Sequence, residues 1–195
     1  QFGRMKAGDW ILLCGVSSGV GVAALQMAKH TGAHVIGTSG SAQKLEALKK
    51  LGLDVGIVAR GGDFADEVRK AAGDKGVDVA VNLVGGSAFP ACVQACTDFG
   101  RVIIVGYVDN TMHANFDLET VHGRRLQIMG ISNTPLTPAM RAVAHRGFMA
   151  DFGSALKSGA IRPLIDRVYS FEQAPAAKDY VETNQLIGKV VVKMG

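Results

Sequence analysis

Through roughly the first 130 residues, short unbroken apolar runs alternate with longer stretches whose apolar positions recur every three or four residues. The runs predict strands over Trp10 to Cys14, His34 to Gly37, Val55 to Val58, Val77 to Leu83, Arg101 to Val105 and Leu126 to Gly130. The periodic stretches predict helices between them. Val20 to His30 is rich in Ala and is followed by Gly32, a C-terminal cap. Ser41 to Leu51 sets Leu45, Leu48 and Leu51 on one face and ends at Gly52. Asp63 is expected to cap a helix reaching Ala72, with Asp66 and Glu67 in its first turn, and Ser87 to Thr97 reads as a further helix.

Strands of continuous Val and Ile are covered on both faces, so the alternation predicts a parallel sheet with helices on each side. The expected fold class is α/β: a Rossmann-type, doubly wound, six-stranded parallel sheet. After Ile131 the rhythm changes. Pro135 and Pro138 precede a helical stretch to about Ser158, then come a strand "IDRVYSF", a helix over Ala174 to Glu182 and a final strand "GKVVVKM". These last strands have no place in the sheet. The expected division is residues 1–133 for a nucleotide-binding domain and 134–195 for a segment completing a second lobe.

Composition narrows this picture little. A chain of 195 residues that is 48% hydrophobic can bury a sizeable core. The net charge is +4, but lysines and arginines are scattered among acids, which excludes a nucleic-acid footprint. No apolar run approaches the roughly 20 residues of a membrane span. Three cysteines without disulfide-framework spacing point to a reducing cytoplasm.

The candidate chemistry begins at "GVSSGVG", Gly15 to Gly21, between the first strand and the first helix. A phosphate-binding turn needs bare backbone, and a helix N-terminus supplies free N–H groups and about half a positive charge. Gly19 permits close approach of an anion, Gly21 permits close helix–strand packing, and Ser17 and Ser18 add hydroxyls. The second strand then ends in Thr38, Ser39 and Gly40, where NAD-specific sheets carry a carboxylate for the ribose 2′-OH. An uncharged trio accepts a 2′-phosphate that a carboxylate would repel. Lys44, in the first turn of the next helix, can reach back to it as a point charge.

The spacing of Gly15, Gly19 and Gly21 also fits short-chain dehydrogenases. Those carry Tyr-x-x-x-Lys and an Asn-Asn-Ala-Gly run, whereas Tyr107, Tyr169 and Tyr180 lack the lysine and the fourth strand ends "VNLVGGS". The chain instead resembles the medium-chain dehydrogenase/reductase superfamily along nearly its whole length. "GVSSGVGVAALQMAK", "VDVAVNLVGG", "GRVIIVGY", "ANFDLETVHGRRLQIMG" and "NQLIGKVVV" are similar to its landmarks, in order. "VIGTSGSAQKLEALKKLG" resembles the quinone oxidoreductase branch.

The resemblance implies NADPH as cofactor. Ser17, Ser18, Gly19 and Val20 would grip its diphosphate, and Thr38, Ser39, Gly40, Lys44 and Arg60 its adenosine phosphate, although Ala59 stands where the family often has tyrosine. Val84 and Gly85, with Gly106, Tyr107 and Val108, would take the nicotinamide at the ends of strands four and five, and Asn184 would reach the cofactor from the other lobe. No catalytic side chain and no metal ligand is assigned, because hydride transfer chiefly needs two carbons held close in a dry pocket. Cys92 and Cys96, expected four apart on one helix, read as buried thiols, and Gly32 separates His30 from His34.

The implied activity is hydride transfer to a quinone or enone. A 2-enoyl-thioester reductase such as a polyketide-synthase module, a zinc alcohol dehydrogenase and a non-catalytic dinucleotide sensor are the alternatives. The family's N-terminal lobe is missing, so the expected object is the cofactor-binding portion of a larger reductase. Its expected partner is a second copy, paired along the sixth strand at Leu126 to Ile131, with no nucleic acid and no membrane.

Overall fold

The computed structural model describes residues 3–195. Six parallel strands form one sheet in the order β3-β2-β1-β4-β5-β6. They are β1 (Trp10–Cys14), β2 (His34–Ser39), β3 (Val55–Val58), β4 (Val77–Asn82), β5 (Cys96–Ile104) and β6 (Gln127–Gly130). The order reverses between β1 and β4, which pair in register from Ile11 with Val79 to Cys14 with Asn82. Ligands of doubly wound sheets bind at that reversal, beyond the carboxyl ends of the strands.

Side chains of each strand alternate between two cores. Leu12 and Cys14 face one core, with Phe64 and Val68 around α3 (Ala65–Ala71) and Ala88 to Ala95 around α4 (Phe89–Ala95). Ile11 and Leu13 face the other, with Val22 and Leu25 of α1 (Gly19–Thr31) and Leu45 and Leu48 of α2 (Ala42–Lys49). Full burial of each Leu, Ile, Val or Phe among them stabilises by about 1.5–3 kcal/mol. The expected C-terminal cap is present, Gly32 ending α1 at φ 85°, and Ser18 adds an N-terminal one by accepting from the Gly21 N–H.

The expected boundaries need four corrections. Asp63 does not cap α3: Phe64 occupies that position without a side-chain cap bond, and its burial in the core fixes where the helix begins. The helix expected over Ser87 to Thr97 is only Phe89–Ala95, because Cys96 turns extended and opens β5. Cys92 and Cys96 therefore do not share a helix; the Cys92 thiol lies 3.4 Å from that of Cys14 instead. β2 runs on through Thr38 to Ser39. An unanticipated α5 (Leu118–Gly123) precedes β6; it is short, has no buried residue and is held by Asp117 accepting from the Glu119 and Thr120 N–H groups.

Beyond β6 the chain forms α6 (Pro138–Ser158), β7 (Ile165–Ser170), a 3-10 turn (Phe171–Gln173), α7 (Ala174–Glu182) and β8 (Lys189–Lys193). β7 and β8 pair in parallel as a separate two-stranded sheet. Gln26 of α1 fastens this unit to the domain. Its side chain accepts from the Arg162 N–H at 3.1 Å and donates to the Arg162 carbonyl at 3.0 Å. The Gly188 N–H donates to the Ser17 carbonyl at 3.0 Å.

Burial pushes the Cys96 thiol up to about 12 from an ordinary 9.0. The unfolded chain therefore loses that proton first, so stability is full below about pH 9 and falls as the pH climbs towards 12. Urea titrations across this window should show the fall, and a Cys96→Ala variant should lessen it, the remainder belonging to the Cys92 thiol, which its contact with Cys14 and its burial also push up. The same slope in both chains would exclude the thiol as its cause.

Candidate functional site

β1 delivers the chain into the turn Gly15–Ser18, and α1 leaves it at once. The turn is tied down from beneath: the Gly15 and Val16 N–H groups both donate to the Thr38 carbonyl at 3.1 Å. Helix and turn are nearly in contact. A Cβ on Gly21 would stand 2.5 Å from the Gly15 oxygen and 2.6 Å from that of Val16, both backbone atoms that cannot yield. The Ser18 cap takes the Gly21 N–H, leaving those of Gly19 and Val20 without an acceptor among the described residues. No acidic residue sits in the first turn of α1 to neutralise its positive end.

A cation stands directly over this turn. A Cβ on Gly19 would collide with the Lys189 side chain, its Nζ only 2.9 Å away. No carboxylate among the described residues pairs with Lys189. Its backbone is set by Gly188, whose φ of 81° and contact with the Leu164 carbonyl leave no room for a side chain. Free amides and an unpaired ammonium thus converge where a diphosphate would sit.

The end of β2 forms the adjoining wall. Thr38 and Ser39 are nearly buried, and their hydroxyls reach the turn: Thr38 Oγ1 accepts from the Gly15 N–H at 3.4 Å, and Ser39 Oγ lies 3.3 Å from Ser17 Oγ. Gly40 lets Arg60 lie across it, with Nε 2.9 Å from where a Cβ would stand. Lys44 is only 9% exposed and donates from Nζ to the Asn184 carbonyl at 2.6 Å. Burial lowers its pKa and the Arg60 charge lowers it further, while Asp166 raises it. Two cations lining the same cleft suit a dianion.

These residues line one open cleft of about 390 Å³. Of the residues expected from the sequence, Ser17, Ser18, Gly19, Thr38, Ser39, Gly40, Lys44, Arg60, Val84, Val108 and Asn184 all face it. Gly85 and Tyr107 line a neighbouring crevice, Val20 turns its side chain towards a groove on the other side of α1, and Gly106 lies against the Leu83 carbonyl between the strand ends. Lys189 was not anticipated. Its signal was the Gly-Lys step that opens β8, which has no meaning until that strand is placed over the glycine turn. Among the described residues no group of three or more His, Cys, Asp or Glu side chains could hold a metal ion, and no helix is long and apolar enough to cross a membrane.

Residues 19–157 match the family model described as zinc-binding dehydrogenase. All of the chain aligns, at 27% identity over 194 residues, with 9% of a phenolphthiocerol/phthiocerol polyketide synthase of Mycobacterium tuberculosis. At 26% identity, 97% of it aligns with 56% of the quinone oxidoreductase of Rattus norvegicus. Among solved structures, CurA of Vibrio vulnificus in complex with NADPH superposes with a TM-score of 0.80 at 25% identity, covering 99% of this chain and 59% of that one. The chain thus spans little more than half of the shorter relatives and a small fraction of the longest.

The close fit at Gly21 is testable. Gly21→Ala should cost about 1–3 kcal/mol of stability through overpacking, read as a lower urea midpoint. A variant as stable as the parent would show that the turn relaxes freely.

Proposed function

The chain belongs to the zinc-binding dehydrogenase family of the medium-chain dehydrogenase/reductase superfamily, and on that premise we propose that it is the NADPH-binding part of an oxidoreductase passing hydride to a quinone or another conjugated carbonyl. The observation that carries the cofactor choice is the end of β2: no carboxylate, and Lys44 and Arg60 lining the same cleft as Ser39 and Gly40. The quinone oxidoreductase of the rat and the NADPH complex of CurA support the reading.

The cleft fits the cofactor by the chemistry of its donors. Gly19 and Val20 offer two free N–H groups and Lys189 a cation to the diphosphate. Lys44 and Arg60 offer charge to the 2′-phosphate. Val84 and Val108 wall the far end, beyond β4 and β5. NADPH held there would supply the hydride, and the protein's part is to orient the ring and exclude water. Among the described residues no group of three or more His, Cys, Asp or Glu side chains could hold zinc.

A 2-enoyl thioester is the second reading of the acceptor, favoured by the likeness to a polyketide synthase. Residues 1–133 would then be the cofactor domain and 134–195 part of a substrate-facing lobe. The free edge of β6 supports a homodimer through Leu126 to Ile131, since it is the outermost strand of the sheet and half-exposed at Ile128 and Met129.

Four outcomes are expected. In a fluorescence titration NADPH should bind roughly ten- to a hundredfold tighter than NADH, the value of a charge-assisted contact. Lys44→Ala should remove most of that preference, whereas Lys189→Ala should weaken both coenzymes alike. Equal affinity of the parent chain for the two would overturn the NADPH reading. Light scattering at high micromolar concentration should report a dimer, and a monomer there would count against the β6 pairing.

A further inference from the structure

We propose that Asn82 is the positioning residue for the nicotinamide end of the coenzyme, an inference that rests on the NADPH reading above. Asn82 is the last residue of β4 and is 1% exposed. Both its amide oxygen and its amide nitrogen are bound by the turn that follows it. Oδ1 accepts from the Val84 N–H at 2.9 Å and from the Gly85 N–H at 3.0 Å, and Nδ2 donates to the Gly85 carbonyl at 2.8 Å. Its backbone carbonyl accepts from the Val105 N–H at 2.9 Å. One residue therefore fixes the exits of both β4 and β5, the two segments that would carry the ring.

The same residue sets those exits against the phosphate turn. Asn82 is the register partner of Cys14 at the end of β1, and just beyond it a Cβ on Gly15 would rest 3.6 Å from the Val84 side chain. The distance between the diphosphate seat and the ring seat thus runs through the β1–β4 pair and the Asn82 amide. Asp109 locks the turn from outside. Its N–H donates to the Val84 carbonyl at 2.9 Å, its carboxylate accepts from the Ser87 N–H at 3.0 Å, and it fills the space where a side chain on Gly85 would stand. Gly85 itself has a φ of 131°, which only glycine adopts without strain.

The amide is the side chain that this arrangement requires. It needs an acceptor for two N–H groups and a donor for one carbonyl, all within three residues. Aspartate keeps the acceptor but points a second anionic oxygen at the Gly85 carbonyl. Alanine leaves two N–H groups and a carbonyl unpaired in a buried turn. Either change displaces Val84 and Gly85 while leaving the glycine turn, Lys44 and Arg60 in place.

The experiment compares two ligands: NADPH, and adenosine 2′,5′-bisphosphate, which carries the 2′-phosphate but no nicotinamide. Asn82→Ala and Asn82→Asp should each weaken NADPH about tenfold, the scale of one misplaced hydrogen-bonding seat, while changing the bisphosphate less than about twofold. Equal losses for both ligands would mark a merely structural residue and overturn the proposal, as would unchanged NADPH affinity. If Asn82→Ala does not fold, Asn82→Asp carries the comparison alone. A parent chain binding the bisphosphate as tightly as NADPH has no ring seat to position, which sinks the proposal only. A parent chain binding neither ligand removes the coenzyme reading as well.

Discussion

The approach of α1 to the end of β1 governs the rest of the molecule. Gly21 sits against two backbone carbonyls with no space for even a methyl group. That closeness leaves the first two amides of the helix facing outward over the turn, unpaired, at the positive end of a helix lacking any acid in its first turn. Unpaired N–H groups are costly in a protein unless water or a ligand meets them. They open towards the cleft, and the cations around it add to the same positive field. Lys44 and Arg60 line the cleft, and Lys189, from the far end of the chain, lies against Gly19 at its edge.

The parallel sheet was legible because burial on both faces leaves a continuous apolar run, and continuous runs survive ambiguity at their ends. All six strands appear where such runs lie. Boundaries misjudged from the sequence share a physical cause. Asp63 is a good cap by residue type, yet the Phe64 ring is worth more to the core than a cap bond is to a helix of seven residues. Cys96 continues a helical spacing, but β5 claims it to pair with Val77. α5 sets only Val121 against the core, too little to make a helical period that the pattern could reveal.

The site divides along the same line. The glycine turn and the end of β2 are local in sequence, and their residues meet as the spacing suggested. Lys189 and Asn82 depend on contacts that span the chain. Lys189 is placed by Gly188 against Ser17, and Asn82 matters only once β4 lies beside β1. Asn82 also looked like one more polar residue at a strand end. Only its three side-chain bonds, all inward, separate it from an ordinary turn asparagine.

The stitching of the last quarter of the chain has a consequence for assembly order. Gln26 meets Arg162, Lys44 meets Asn184 and Ser17 meets Gly188, each across well over a hundred positions. Long closures of this kind form late, since their entropic cost precedes any reward. As a ribosome releases the polypeptide from its amino end, the sheet can consolidate early while the anion seat still lacks one rim. The binding cleft is therefore among the last parts to mature, finished by residues that emerge well after the sheet that supports it.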